Sequence, residues 1–436
     1  DGCDMIPHPH IERSLNRRGM SGVIMTVDSI ERVVIVGGGL AAAKTAEALR
    51  DEGYAGSIVL FAAEPHVPYE RPPLSKGFLK GEQSADETIV LPESWYAEHD
   101  VELRLGTEVT AVDADAHEVE AADGSRTAYD KLVLATGASP RRSDLPGADL
   151  DGVLYLRTLE DSERLREAFQ QGRNVVLIGG GWIGLEAASA ARDAGANVTV
   201  LEMTAQPLLG VLGPKLGQSF ADFHREHGVD LRTGVTVAAI EPAADGRRAA
   251  SVRLADGTTI PADIVLVGIG AVPNTQLATS AGLALDNGIL VDAQGRSSNP
   301  DIFGVGDVAN AETPALGQRV RVEHWANALD RPPSVAKGLL GKAGDFDKLP
   351  FFFSDQYDLG LEYSGRAGRE DDLVVRGDLD GREYVAFWLD GDRVTAGMNV
   401  NVWDVQDDIQ ALIASHEPVD RDKLADPDVP LAQVRA

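Results

Sequence analysis

The chain has 436 residues, 25% of them charged, and a formal net charge of −29. That field opposes binding to nucleic acid and to anionic membranes, no apolar run reaches the length of a membrane span, and the N-terminus lacks a signal-peptide core. One cysteine, Cys3, excludes an intramolecular disulfide and fits a reducing compartment, so the protein reads as cytoplasmic. The length suggests about three domains. Residues 1–27 carry no period and read as a disordered or appended leader.

Arg32-Val33-Val34-Ile35-Val36 reads as a buried strand running into Gly37-Gly38-Gly39-Leu40-Ala41-Ala42. The first glycine permits a tight bend. The second lets backbone approach a pyrophosphate, and the small third residue, Ala42, lets the helix pack closely on the strand. The helix N-terminus then offers free N–H groups to phosphate. Leu40 to Arg50 is the expected helix, ended by Gly53 and Gly56. Ser57–Phe61 is the next strand, and Glu64 near its end is suited to bonding an adenosine ribose hydroxyl. Pro68, Pro72 and Pro73 make a rigid loop around Lys76, a candidate cation beside a flavin. Lys131–Gly137 is a near-continuous apolar strand suited to a parallel sheet covered on both faces.

Asp151 to about Gly172 reads as helical. Asn174–Ile178 then leads into Gly179-Gly180-Gly181-Trp182-Ile183-Gly184, a second turn of the same kind. Two such turns, each between strand and helix, suggest two dinucleotides held together and a hydride passing between them. In the second unit Glu202 ends the strand Asn197–Leu201. A carboxylate there accepts from both ribose hydroxyls and repels a 2′-phosphate. No Arg or Lys occurs between Met203 and Gly213, so NADH is preferred over NADPH. Val229–Leu254 reads as a β-meander, and Asp263–Gly270 and Asp301–Asp307 as further buried strands. Asp307 can accept a ribityl hydroxyl or cap a helix, or both. Beyond Gly341 short alternating strands with Asp-Gly turns indicate a separate α+β domain. His224 and His227, three apart on a helix, read as a solvated face rather than as metal ligands, and no metal site is expected.

These segments resemble the FAD-dependent ferredoxin reductases of bacterial oxygenase systems. Pro-Pro-Leu-Ser-Lys at 72–76, Glu-His-Trp at 323–325 and Ser-Asp-Gln-Tyr-Asp-Leu-Gly at 354–360 carry the resemblance more specifically than the glycine turns. It implies a glutathione-reductase-like α/β fold with two dinucleotide-binding domains and a C-terminal α+β domain. FAD would lie in residues 28–142 and 266–340, NADH in 143–265, and the last domain, 341–436, would cover the flavin. On the same analogy Lys76 lies near flavin N5 and pairs with Glu186, Asp307 holds the ribityl chain, Trp325 borders the ring and Arg141 reaches the diphosphate. Trp182 sits near the nicotinamide pocket. The implied FAD set is completed by Gly37, Gly39, Leu40, Ala41, Ala42, Glu64, Arg71, Val109, Ala135, Thr136 and Gly137. The NAD set comprises Gly179, Gly181, Trp182, Ile183, Gly184, Glu186, Glu202 and Gly270. Flavoenzymes that work through a cysteine are excluded, because Cys3 precedes the first strand.

Three positions depart from the family pattern: Ala63 where an acid is common, Met203 where a basic or polar residue is common, and Phe353 where a Trp is usual. The expected partner is a small, acidic two-iron ferredoxin. Docking it against the global charge needs a local basic patch, for which Arg319, Arg321, Arg331, Lys337 and Lys342 are the candidates. The resemblance leaves a monomer or a homodimer open. It also leaves open a rubredoxin reductase, a monodehydroascorbate reductase, or a redox-sensitive binding protein like apoptosis-inducing factor.

Overall fold

The computed structural model describes residues 30–436; Cys3 and the leader lie outside this range. Val33–Val36 are all buried. Their strand, Arg32–Val36, pairs in parallel with Ser57–Phe61 on one side and Lys131–Leu134 on the other. Val101–Arg104 and Ile302–Gly304 complete a five-stranded parallel sheet at its two edges. The helix Leu40–Asp51 has eight buried residues, five of them alanine. Small side chains let it lie close on the sheet, as the glycine turn requires.

The second unit repeats this plan. Asn174–Ile178 is flanked by Asn197–Leu201 and Ile264–Val267, with Asp230–Arg232 and Val153–Leu154 outermost. Corresponding strands take corresponding places, but the fifth comes last in the first unit and first in the second. The stretch expected to be helical from Asp151 therefore opens as this edge strand, and the helix is Leu159–Ala168, started by a Thr158–Asp161 capping box. Each unit also carries a three-stranded antiparallel meander, Val109–Ala128 in the first and Val237–Pro261 in the second. Two antiparallel crossing strands join the units, Ala138–Pro140 and Ala271–Pro273. The return crossing expected at 265/266 thus falls later, because residues up to Val267 hydrogen-bond within the second sheet.

The last part is a five-stranded antiparallel sheet backed by the helix Gln406–Ser415. Its inner strand Glu383–Asp390, between Asp372–Asp378 and Arg393–Val400, is buried on both faces. Val385, Phe387 and Leu389 pack with Ile409 and Leu412 of the helix. Tyr384, Ala386 and Trp388 point the other way, into one cluster with Leu185, Phe220 and Phe223 of the second unit. The period of two along a strand lets one sheet serve two cores. Among the described residues no helix is long and apolar enough to cross a membrane, and no three His, Cys, Asp or Glu side chains cluster as a metal site.

Candidate nucleotide and redox site

Both glycine turns are built for an anion. Gly37 (φ +136°) brings its α-carbon so close to the neighbouring strand that a Cβ would lie 2.1 Å from the Ala135 carbonyl oxygen. Gly179 (φ +110°) does the same against Gly268, at 2.3 Å. At Gly184 a Cβ would meet the Gly179 carbonyl at 2.4 Å, while Ala42, its counterpart, is fully buried. Gly39 and Gly181, by contrast, face open space within 4 Å. Each caps its helix without a side-chain hydrogen bond, and neither helix has an acidic residue in its first turn. An uncapped, positively polarised N-terminus below an open glycine suits a dinucleotide pyrophosphate. Leu40 and Ala41 are buried at the first of these starts, whereas Trp182 is half-buried and Ile183 is 51% exposed at the second.

Between the two turns lies a buried junction. Lys76 Nζ donates to Glu186 Oε2 at 2.8 Å, with the two side chains 15% and 4% exposed. Ser75 Oγ donates to the same oxygen at 2.5 Å, and Ser354 Oγ donates to Oε1 at 2.6 Å. Glu186 sits one turn into the second unit's helix Trp182–Asp193. Lys76 comes from the proline loop of the first unit, and Ser354 from the C-terminal strand Phe351–Gln356. All three parts of the fold therefore meet on one carboxylate. Phe353 lies over Lys76, with Nζ 5.3 Å from the ring centroid, and Trp325 meets Phe353 edge-on at 6.0 Å. Trp182 packs on Phe352, which also meets His324.

A second charged group gathers around Asp307. Arg157 donates to its carboxylate at 2.8 Å and lies 3.3 Å from where a Gly137 Cβ would be. Arg71 donates to the Arg157 carbonyl and to Glu64 at 2.7 Å. Burial lowers the Arg157 pKa, and neighbouring Arg71 lowers it further, against the pull of Asp307. Burial would also lower Arg71, but Tyr69, Glu64 and Asp307 raise it overall. Beside Asp307, Arg321 Nε, His324 Nδ1 and Trp325 Nε1 are buried without a hydrogen-bond partner. Two converging guanidiniums and three unpartnered polar atoms fit a large polar cofactor at this place. Arg157 is absent from the expected set. It lies in the stretch read as helix, and only the edge strand Val153–Leu154 delivers it to Asp307.

The other expected residues divide. Thr136 is tied to Asn274 across the crossing strands, its Oγ1 donating to the Asn274 carbonyl at 2.7 Å. Arg141 and Gly270 are exposed and joined backbone to backbone at 2.9 Å. Val109 is in the packed core with Phe61 and Leu134, so its side chain lines no opening. Glu202 accepts from Gly180 N and from Thr204 N and Oγ1, each at 2.7 Å. Sheet register makes Phe61 the counterpart of Leu201. The first-unit position matching Glu202 is thus Ala62, and Ala63 follows. Glu64 lies two residues further on, with both oxygens engaged by Tyr69 and Arg71.

The five expected docking cations do not form a free patch. Arg331 is 1% exposed and bonded to Asn327 and Thr313. Arg319 pairs with Glu312, Arg321 with Glu323, and Lys342 and Lys337 with Glu52. His224 corrects the solvated-face reading in the same way. It is fully buried, with Nε2 2.8 Å from Gln356 Oε1, while His227 stacks on Tyr357.

Residues 31–331 match the family model described as pyridine nucleotide-disulphide oxidoreductase, and residues 351–435 match the reductase C-terminal model. No cysteine falls in either range. Putidaredoxin reductase of Pseudomonas putida is 39% identical over 411 residues, 93% of this chain and 97% of that one. The anthranilate 1,2-dioxygenase system ferredoxin–NAD(+) reductase component of Burkholderia cepacia is 40% identical over 407 residues, 92% and 99% of the two chains. The structure of the covalent putidaredoxin reductase–putidaredoxin complex superposes with a TM-score of 0.89 at 38% identity, covering 93% of this chain and 98% of that chain. The chain belongs to the pyridine nucleotide-disulphide oxidoreductases, in the branch of FAD-dependent ferredoxin reductases.

Proposed function

We infer that the protein is an NADH-dependent FAD reductase that passes electrons singly to a two-iron ferredoxin of a cytoplasmic oxygenase system. The observation that carries this reading is the Lys76–Glu186–Ser354 junction, where both nucleotide units and the C-terminal sheet converge. In this reading Gly37–Ala42, Arg157 and Asp307 hold FAD, and Gly179–Gly184 with Glu202 hold NADH. Bound FAD supplies a hydride acceptor and the ability to release electrons one at a time. The protein supplies orientation and charge. Lys76 offers a fixed cation where negative charge develops, and Glu186 with two serines keeps it from swinging away. Trp182, Phe352 and Phe353 cover the junction and limit water.

Glu202 sets nucleotide choice. Its Oε2 also accepts from Gly180 and its Oε1 from Thr204, so Glu202→Gln removes the charge and keeps one of the two anchors, through the single amide oxygen. The NADH over NADPH ratio in kcat/KM is expected to fall about ten- to a hundredfold, the worth of a hydrogen bond to a charged group. Steady-state kinetics with both nucleotides check this, and an unchanged ratio removes Glu202 from that role.

The acceptor is tested with NADH and purified two-iron ferredoxins, with rubredoxin as the competing acceptor. Beside Trp325 a groove of about 630 Å³ is lined by Asp330, Asp347, Glu362 and Lys348. Lys348 is itself paired with Asp330 at 2.8 Å. An acidic ferredoxin docking there meets like charge, so its reduction is expected to quicken as salt rises and screens the repulsion. Slowing with salt would place docking on another, basic surface. Efficient turnover of rubredoxin alone would replace the ferredoxin assignment.

A further inference from the structure

The Glu186 carboxylate is the end of a longer buried chain. Ser354 Oγ, which donates to Glu186 Oε1 at 2.6 Å, accepts from Gln356 Nε2 at 3.1 Å. Gln356 Oε1 in turn lies 2.8 Å from His224 Nε2. Ser354, Gln356 and His224 are all 0% exposed. His224 belongs to the helix Leu209–Glu226 of the second unit, which follows the Glu202–Pro207 segment. A contact at the far side of that unit is thus linked, group by group, to Lys76.

The chain has a direction. A hydroxyl has one hydrogen, so Ser354 donates either to Glu186 or to Gln356. With Gln356 presenting its amide N–H, the serine hydrogen is free for the carboxylate. With the amide reversed, the serine would have to donate to it, and Glu186 Oε1 would face a lone pair. The imidazole decides between these. A neutral ring with its proton on Nε2 donates to Gln356 Oε1 and fixes the productive orientation. His224 Nδ1 is buried and has no partner, so this tautomer leaves a lone pair unmatched there. The other would bury an N–H without an acceptor, the rarer arrangement. Burial lowers the His224 pKa to about 4, which keeps the ring neutral at working pH.

We propose that His224 is a positioning residue for the reductase reaction: through Gln356 and Ser354 it sets the carboxylate of Glu186, and hence the position of the Lys76 cation. This rests on the reading of Lys76 as the cation at the flavin. His224 touches neither nucleotide in that reading, and acts only through the chain.

Histidine ¹⁵N spectra of the FAD-loaded protein test the polarity directly, the His224 signals being those absent from a His224→Gln sample. A protonated Nε2 and a bare Nδ1 at neutral pH are expected; a protonated Nδ1 overturns the proposal whatever the activity. Two variants test the consequence. His224→Phe keeps bulk without a donor, and His224→Gln restores an N–H near the Nε2 position. The Phe variant is expected to slow NADH bleaching of the flavin about tenfold or more and to shift the flavin midpoint potential, with both recovering in the Gln variant. Equal rates and potentials in the two variants would reduce His224 to packing. If the Phe variant does not fold, the tautomer decides. Should Lys76→Met leave bleaching unchanged while Nε2 is protonated, the reading of Lys76 fails and the orientation of the chain stands.

Discussion

Replacing Lys76 by methionine lowers the rate of flavin bleaching by NADH about a hundred- to a thousandfold in stopped flow, the usual worth of one positioned charge-stabilising donor. Methionine keeps most of the stem and removes the charge. What remains is Glu186, 4% exposed, with Ser75 and Ser354 as its donors. Breaking a buried pair on one side costs about 3–5 kcal/mol, because the other charge is left uncompensated. The single variant is therefore expected to be less stable as well as slower. Lys76→Met combined with Glu186→Gln separates the two effects. Stability should partly return, since the Gln oxygen accepts from one serine and its amide N–H donates to the other, while bleaching stays slow. A Lys76→Met protein that bleaches at the original rate would remove the lysine from the mechanism.

Acid should weaken the fold well before its surface carboxylates are protonated. Burial holds His224 near a pKa of about 4, and burial, partly offset by Asp307, holds His324 near about 4 as well. In the unfolded chain both return to about 6.5. Between these values the unfolded state binds protons that the native state refuses, so stability is full above about pH 6.5 and falls as pH drops toward 4. Each histidine contributes about 3 kcal/mol over that window. Urea melts at steps from pH 7.5 to 4.5 read the slope. His224→Gln, which cannot titrate, should flatten it by about half. A variant whose slope matches the parent would mean that His224 is protonated in the native state.

Local pattern made the two glycine turns legible, with their strands and the Lys76 loop, because each rests on residues adjacent in sequence. Arg157 and His224 were not legible for the opposite reason. Arg157 is one arginine in a polar stretch, and nothing nearby says that Val153–Leu154 is an edge strand added to Ile264–Val267. His224 follows Phe223 on an amphipathic helix, and only the C-terminal sheet, arriving more than a hundred residues later, buries both. Arg331 misled in the same way. A row of cations in sequence looks like a patch, yet the helix beginning at Pro332 packs against Leu40–Asp51 and takes Arg331 inside. Glu64 shows what spacing alone leaves out. It stands near the strand end, but sheet register shows Ala62 opposite the place that Glu202 fills in the second unit.

Because Glu383–Asp390 gives alternate side chains to its own helix and to Phe220 and Phe223, the final segment is no interchangeable module. Grafting residues 351–436 from a relative, to retune which acceptor is served, would set foreign side chains against Leu185, Phe220 and Phe223 and break one continuous apolar interior. Engineers wishing to redirect this protein should recode the rim of the groove beside Trp325 and leave the seam beneath it intact.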